Sequence, residues 1–185
     1  MKNLKIFAVP AIALFLICLI ATALLGATNR VTAPMIDELA QQTELETRQI
    51  VLPTAADFSE EKGVPGSDNT YVEGIKDGKT VGYVFVTVTK GYGGDVKIMT
   101  GVDAEGKVTG VYPLELNETA GLGMNAKKDS FLDQFLGRTN GIKVSKSGAS
   151  GNEIQALTGA TITSNAVTGA VNEALGYYKA IKEAE

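Results

Sequence analysis

The 185-residue chain contains no histidine and one cysteine, and its charges form no block of a single sign. Without histidine, serine–histidine catalysis, histidine-ligated haem and the common histidine zinc sites are excluded within this chain. The lone Cys18 has no intrachain disulfide partner, and one thiolate cannot supply a four-cysteine iron–sulfur cluster. It sits inside an apolar run, where its plain reading is a small residue facing lipid or a partner helix. A share in a metal site completed by another subunit is the alternative. The formal net charge is −4 and the acidic residues are spread along the chain, so nothing forms a nucleic-acid footprint and no nucleic-acid partner is expected. No metal site is expected either, and any redox chemistry must come from a bound organic cofactor.

What the chain does have begins at Ile6. From there to Ala27 run 22 residues without a charge, interrupted by Pro10 and Thr22. A helix of about 20 apolar residues crosses a bilayer. A cleaved signal peptide competes, because Lys2 and Lys5 make a basic start and Ala21-Thr22-Ala23 resembles a cleavage site. The run exceeds the usual core of such peptides, about 7–15 residues, which favours an uncleaved anchor. The basic end then stays cytoplasmic. Residues 1–5 are read as a cytoplasmic N-terminus, 6–27 as a single membrane span, and the remainder as lying outside the cytoplasm.

Residues 28–69 read as a membrane-proximal helix and linker. The helix opens at Thr32-Ala33-Pro34 and carries Met35, Ile36, Leu39, Leu45 and Ile50 to about Leu52. Pro53, Gly63, Pro65, Gly66, Asp68 and Asn69 mark a loop, and a domain over residues 70–185 follows. In it Thr70–Lys76 and Thr80–Thr89 flank Asp77-Gly78, a hairpin signal, with Val84, Val86 and Val88 alternating with Tyr83, Phe85 and Thr87. A second hairpin joins Asp95–Val102 to Lys107–Leu114, with Val96, Ile98 and Thr100 on one face. Between the hairpins lies Gly91-Tyr92-Gly93-Gly94, which bulges or admits a ligand to the backbone. Ser130–Leu136 has helical spacing, with Ser130 or Asp129 as cap and Gly137 as stop. Ile142-Lys143-Val144 makes a short edge strand. Strands in the middle and helices at the ends give an α+β fold.

Two segments carry candidate chemistry. Thr158-Gly159-Ala160-Thr161-Ile162-Thr163-Ser164 leads into a C-terminal helix whose Ala166, Val167, Ala170, Val171, Ala174, Leu175 and Tyr178 form one apolar stripe. Thr163, Ser164 or Asn165 caps that helix. Its uncapped N–H groups and dipole attract an anion, Gly159 lets backbone approach a bulky ligand, and Thr161 sits beside the anion. The bland alternative is an ordinary N-cap. The second segment is Glu118-Thr119-Ala120-Gly121-Leu122-Gly123. Two glycines permit a tight excursion, while Glu118 and Thr119 either bond a polar ring edge or close the turn themselves.

Thr158 to Thr161 resembles the S/T-G-A-T flavinylation motif, in which the last threonine forms a phosphoester to FMN. Nearly the whole chain is similar to the G subunit of the Rnf electron-transport complex: basic start, single span, two hairpins around Gly91 to Gly94, then an E-T-P-G-L-G loop with Ala120 in place of proline. In the fuller motif D-x-x-S/T-G-A-T, Gln155 stands at the aspartate. An amide there mimics the carboxylate's acceptor but not its charge.

The resemblance implies an antiparallel-sheet FMN-binding domain with flanking helices, tethered by one transmembrane helix in the cytoplasmic membrane. It implies covalent FMN on Thr161, its phosphate met by Thr158, Gly159, Ala160, Thr163 and Ser164. The ring then lies against Tyr92 and against Glu118, Thr119, Gly121, Leu122 and Gly123. The implied role is one electron-relay step in a complex that couples ferredoxin/NAD electron transfer to sodium or proton movement, with no catalysis by the chain alone. A flavin transferase is needed for maturation. No dinucleotide-binding glycine fingerprint follows a strand, so NAD and ferredoxin sites belong to partner subunits. The alternatives are the related C subunit of the sodium-pumping NADH:quinone reductase, a tethered scaffold without covalent flavin, and a flavoprotein acting alone on small acceptors.

Overall fold

The computed structural model describes residues 2–139 and 141–184, with side chains from Phe7 onward except that of residue 37. The first expected cytoplasmic residue and the side chains of Lys2 and Lys5 therefore lie outside the described residues. The chain divides after Thr43 into two units.

The sequence predicts two helices in the first fifty residues, and the structure has one, α1 (Lys2–Val51), with Pro10 and Pro34 inside it. A proline removes one ladder bond but does not end a helix whose neighbours are good formers. Thr28 Oγ1 donates to the Leu24 carbonyl at 2.9 Å and Thr32 Oγ1 to the Thr28 carbonyl at 3.1 Å, so the polar break expected near residue 28 folds its hydroxyls back onto the helix. The segment is long and apolar enough to cross a membrane.

The second unit starts at Glu44, well before the expected start at Thr70. Its sheet runs β1 (Asp57–Phe58), β3 (Thr70–Lys76), β4 (Lys79–Lys90), β5 (Asp95–Asp103) and β6 (Val108–Leu116), with β2 (Lys62–Gly63) also pairing β3. All neighbours are antiparallel. Both predicted hairpins are present. Asp77 and Gly78 have φ of 52° and 73°, the two positive angles that a type I′ turn requires.

Each face of this sheet is covered. On one, Tyr83, Phe85, Val96 and Ile98 pack under α3 (Thr161–Ala184), whose buried stripe is the one the sequence predicts. Thr87 Oγ1 and Thr89 Oγ1 donate to the Ala170 and Ala166 carbonyls at 3.0 and 2.9 Å and so pin the helix across β4. On the other face Val72, Val84 and Met99 meet Val51, Leu52 and Ala55. That contact needs glycines in the sheet. A Cβ on Gly101 would lie 2.1 Å from the Val51 carbonyl oxygen, and one on Gly74 would lie 2.3 Å from Leu52 Cδ2. Thr109 Oγ1 completes the seat by donating to the Val51 carbonyl at 2.6 Å.

The expected helix over Ser130–Leu136 is split into α2 (Asp129–Leu132) and a 3-10 turn over Asp133–Phe135, and a separate 3-10 turn over Gly123–Lys127 precedes it. The N-cap position is Lys128 with no side-chain cap, so neither Ser130 nor Asp129 caps it. Gly137 at φ 71° ends it as expected. The expected edge strand is β7 (Lys143–Ser145), paired in parallel with β8 (Glu153–Gln155), which the sequence reading missed.

Candidate functional site

Three loops meet at one end of the sheet: the turn between β4 and β5, the segment leaving β6, and the entry to α3. They enclose a cavity of about 540 Å³, within the usual size of a small-molecule or cofactor site.

The entry to α3 is a turn over Leu157–Ala160. The Ala160 N–H donates to the Leu157 carbonyl at 3.0 Å and Gly159 has φ 75°, the left-handed angle that the third residue of a type II turn requires. Ser164 locks this turn from inside the helix. Its hydroxyl donates to the Ala160 carbonyl at 2.9 Å and accepts the Leu157 N–H at 3.0 Å. The helix thus begins at Thr161, earlier than a cap at Thr163, Ser164 or Asn165 would allow. Ser164 is fully buried and does not line the cavity, so its hydroxyl serves the turn. Thr158 is exposed and also does not line it.

Thr161, Ile162 and Thr163 do line it, with Gly159 and Ala160. The N–H groups of Thr161, Ile162 and Thr163 have no partner among the described residues, as the first turn of a helix leaves them. Thr163 is 1% exposed, and its hydroxyl makes no hydrogen bond to the described residues. A hydroxyl that faces a cavity beside three free N–H donors marks a place for an anion.

The second wall is Glu118, Thr119, Leu122 and Gly123. Glu118 Oε1 accepts the Tyr92 N–H at 2.7 Å, so one oxygen of this carboxylate braces the neighbouring turn and not its own, whose closure is one of the two roles the sequence predicts for it. That brace explains the glycine density. A Cβ on Gly91 would lie 2.2 Å from Glu118 Oε1, and one on Gly123 2.7 Å from Thr163 Oγ1 and 2.9 Å from Glu118 Oε2. Gly121 is set back from the cavity; its φ is 77° and its carbonyl accepts Asn125 Nδ2 at 2.7 Å.

Tyr92, Leu122 and Ile162 complete the cavity and are 71%, 44% and 54% exposed. Large apolar side chains left open around an anion-friendly floor suit a ligand with a phosphate and a flat apolar body. The residues therefore fit a flavin mononucleotide. The sequence reading missed Ile162, whose signal was a bulky apolar residue in the first helical turn beside Thr161. No group of three or more cysteine or acidic side chains with a metal-binding arrangement occurs among the described residues.

Gln155 ends β8. Its Nε2 donates to the Lys146 carbonyl at 3.2 Å, a bond that an aspartate could not donate.

The family described as FMN-binding domain matches residues 91–176, a span that contains all three loops. The chain is 39% identical over 190 residues to the G subunit of the Na(+)-translocating ferredoxin:NAD(+) oxidoreductase complex of Acetobacterium woodii, covering 90% of this chain and 88% of that one. It is 36% identical over 159 residues to the G subunit of the proton-translocating ferredoxin:NAD(+) oxidoreductase complex of Clostridium ljungdahlii, covering 85% and 84%. The crystal structure of the C subunit of the Na(+)-translocating NADH-quinone reductase from Parabacteroides distasonis superposes with a TM-score of 0.52 at 24% identity, over 60% of this chain and 61% of that one, and shares the fold. With its relatives matched over nearly their full length, this chain belongs to the G-subunit family of ion-translocating ferredoxin:NAD(+) oxidoreductase complexes.

Proposed function

We propose that this chain is the electron-relay subunit of a membrane complex that couples ferredoxin/NAD electron transfer to ion translocation, and that it holds FMN by a phosphoester at Thr161. The supporting observation is the first turn of α3. There the Thr161 side chain lines a cavity beside three unpartnered N–H groups and the unpartnered Thr163 hydroxyl.

When bound, the flavin takes up two electrons and passes them on singly. The chain's own residues hold and shield it. Thr161 supplies the bonding oxygen, and the helix N-terminus and Thr163 offset the remaining phosphodiester charge. Gly91 and Gly123 leave room for the wall that Glu118 braces, and Tyr92, Leu122 and Ile162 keep water from the ring. Sites for NAD and ferredoxin fall to other subunits, since no strand here leads into a dinucleotide-binding glycine turn. The apolar part of α1 anchors the chain, with the basic Lys2 and Lys5 on the cytoplasmic side and the domain on the other.

The test is a denaturing gel of protein purified from its native host. A flavin fluorescence band that survives unfolding supports the reading. Thr161→Val should abolish it and leave the melting temperature within about 3 °C, because valine keeps the shape and removes a half-exposed hydroxyl. A dark wild-type band, or fluorescence lost in Thr163→Val instead, overturns the assignment. Gln155 at the motif's aspartate favours the second reading, a tethered scaffold without covalent flavin, which requires that dark band.

A further inference from the structure

The turn that presents Thr161 is held from both sides, and one of the two clamps comes from another part of the chain. Ser164 clasps its C-terminal side. On the N-terminal side the clamp is Gln134, in the 3-10 turn after α2. Gln134 Oε1 accepts the Gln155 N–H at 2.7 Å, and its Nε2 donates to the Gln155 carbonyl at 3.4 Å. One side-chain amide thus serves both backbone groups of the last residue of β8. Between that point and Thr161, three of the five backbone N–H groups are tied. The Ala156 N–H donates to the Ser145 carbonyl at 2.8 Å, the Leu157 N–H to Ser164 Oγ, and the Ala160 N–H to the Leu157 carbonyl. Gln134 itself does not line the cavity.

We infer that Gln134 is a positioning residue for flavin attachment: by fixing the backbone at Gln155 it sets the acceptor turn so that Thr161 Oγ1 is offered in one geometry. The inference rests on the reading of Thr161 as the attachment site. Attachment forms the Thr161 Oγ1–P bond while a P–O bond in the pyrophosphate of a flavin dinucleotide donor breaks. The hydroxyl proton leaves with the nucleoside monophosphate, and no electron is transferred. In such a displacement the orientation of the attacking oxygen governs the rate, so a loosened turn slows attachment without removing the nucleophile.

The test uses the full chain in detergent with a flavin transferase and flavin adenine dinucleotide, following covalent fluorescence over time. Gln134→Leu should attach flavin about tenfold more slowly than wild type, while Gln134→Glu, which keeps an oxygen for the Gln155 N–H, should stay within about threefold. Hydrogen exchange in the flavin-free chain gives a second readout: the Leu157 and Ala160 amides should lose protection in Gln134→Leu and keep it in Gln134→Glu. Wild-type attachment rates in Gln134→Leu, unchanged protection of those amides, or a Glu variant no better than the Leu variant would each overturn the inference. If Gln134→Leu fails to fold, Gln134→Asn, with the same groups one methylene short, is read by the same criteria. If the wild type itself takes no flavin, the Thr161 reading fails and the exchange data alone decide whether Gln134 positions the turn.

Discussion

The two ends of the β4 strand treat their polar groups in opposite ways. At its start, Tyr71, Tyr83, Phe85, Tyr177 and Tyr178 form a cluster of rings 5.6–6.4 Å apart, and the tyrosine hydroxyls that reach α3 are spoken for. Tyr178 donates to the Ala104 carbonyl at 2.6 Å, Tyr83 accepts Lys182 Nζ at 2.8 Å, and Tyr177 joins Glu173 to Asn69. At its far end the Thr163 hydroxyl and three N–H groups have no protein partner among the described residues, and Tyr92 stands open. The first-turn donors of a helix need partners from outside the helix, and here they face a cavity. The partnered end is read as a fastener between helix and sheet, and the unpartnered end as a place that a ligand completes.

That contrast predicts that stability and flavin loading come apart under substitution. The largest stability loss is expected at the seat of Val51, away from the cavity. In Gly101→Ala the new methyl would face the Val51 carbonyl oxygen at 2.1 Å, a backbone atom that cannot swing aside. Overpacking of this kind costs about 1–3 kcal/mol. Denaturant unfolding should show it, while the folded fraction still takes flavin at Thr161 at the wild-type rate. Loss of loading in the folded fraction would mean that the two regions are coupled.

Gly91→Ala acts at the cavity instead. Its methyl would meet Glu118 Oε1 at 2.2 Å, the tip of a flexible side chain, and Cγ2 of the buried Val96 at 2.7 Å, so the carboxylate gives way and releases the Tyr92 N–H while the valine must shift. Stability should fall by about 1–2 kcal/mol, from one lost hydrogen bond and a displaced valine methyl. The flavin, however, should become more accessible to solvent, visible as stronger iodide quenching of its fluorescence. Unchanged quenching would remove Glu118 from its bracing role.

The sequence reveals the hairpins because each carries its own turn chemistry and alternation, as at Asp77-Gly78. It reveals the α3 stripe because one helix face needs no distant partner to be read. It does not reveal β1, β2 or β8, whose two or three residues are strands only through the chain they pair with. The Gly74 and Gly101 contacts are equally hidden, since Val51 and Leu52, which need that space, are remote in sequence. At the site, the order of the three loops is legible from the motifs. The internal use of Ser164, the brace from Glu118 to Tyr92 and the clamp from Gln134 are not, because each depends on which backbone group a side chain meets after folding.

The fastener end yields the smallest effect and a pH signature. Burial, then the hydrogen bond to Glu173, raises the Tyr177 hydroxyl above its ordinary pKa of 10.0. A group whose folded pKa is raised contributes stability that is fully present below the unfolded value and lost as pH rises through the folded one. Wild-type stability should therefore decline above about pH 10 as the unfolded chain releases the Tyr177 proton first. Tyr177→Phe removes the hydroxyl, so the protein should lose about 1 kcal/mol at neutral pH and show a flatter decline in alkali. Flavin loading should be unchanged, because Tyr177 belongs to the partnered end of the sheet. An equally steep alkaline decline in the variant would move the effect to Tyr178, which burial also raises. A change in loading would show that the two ends of β4 do not divide fastening from binding.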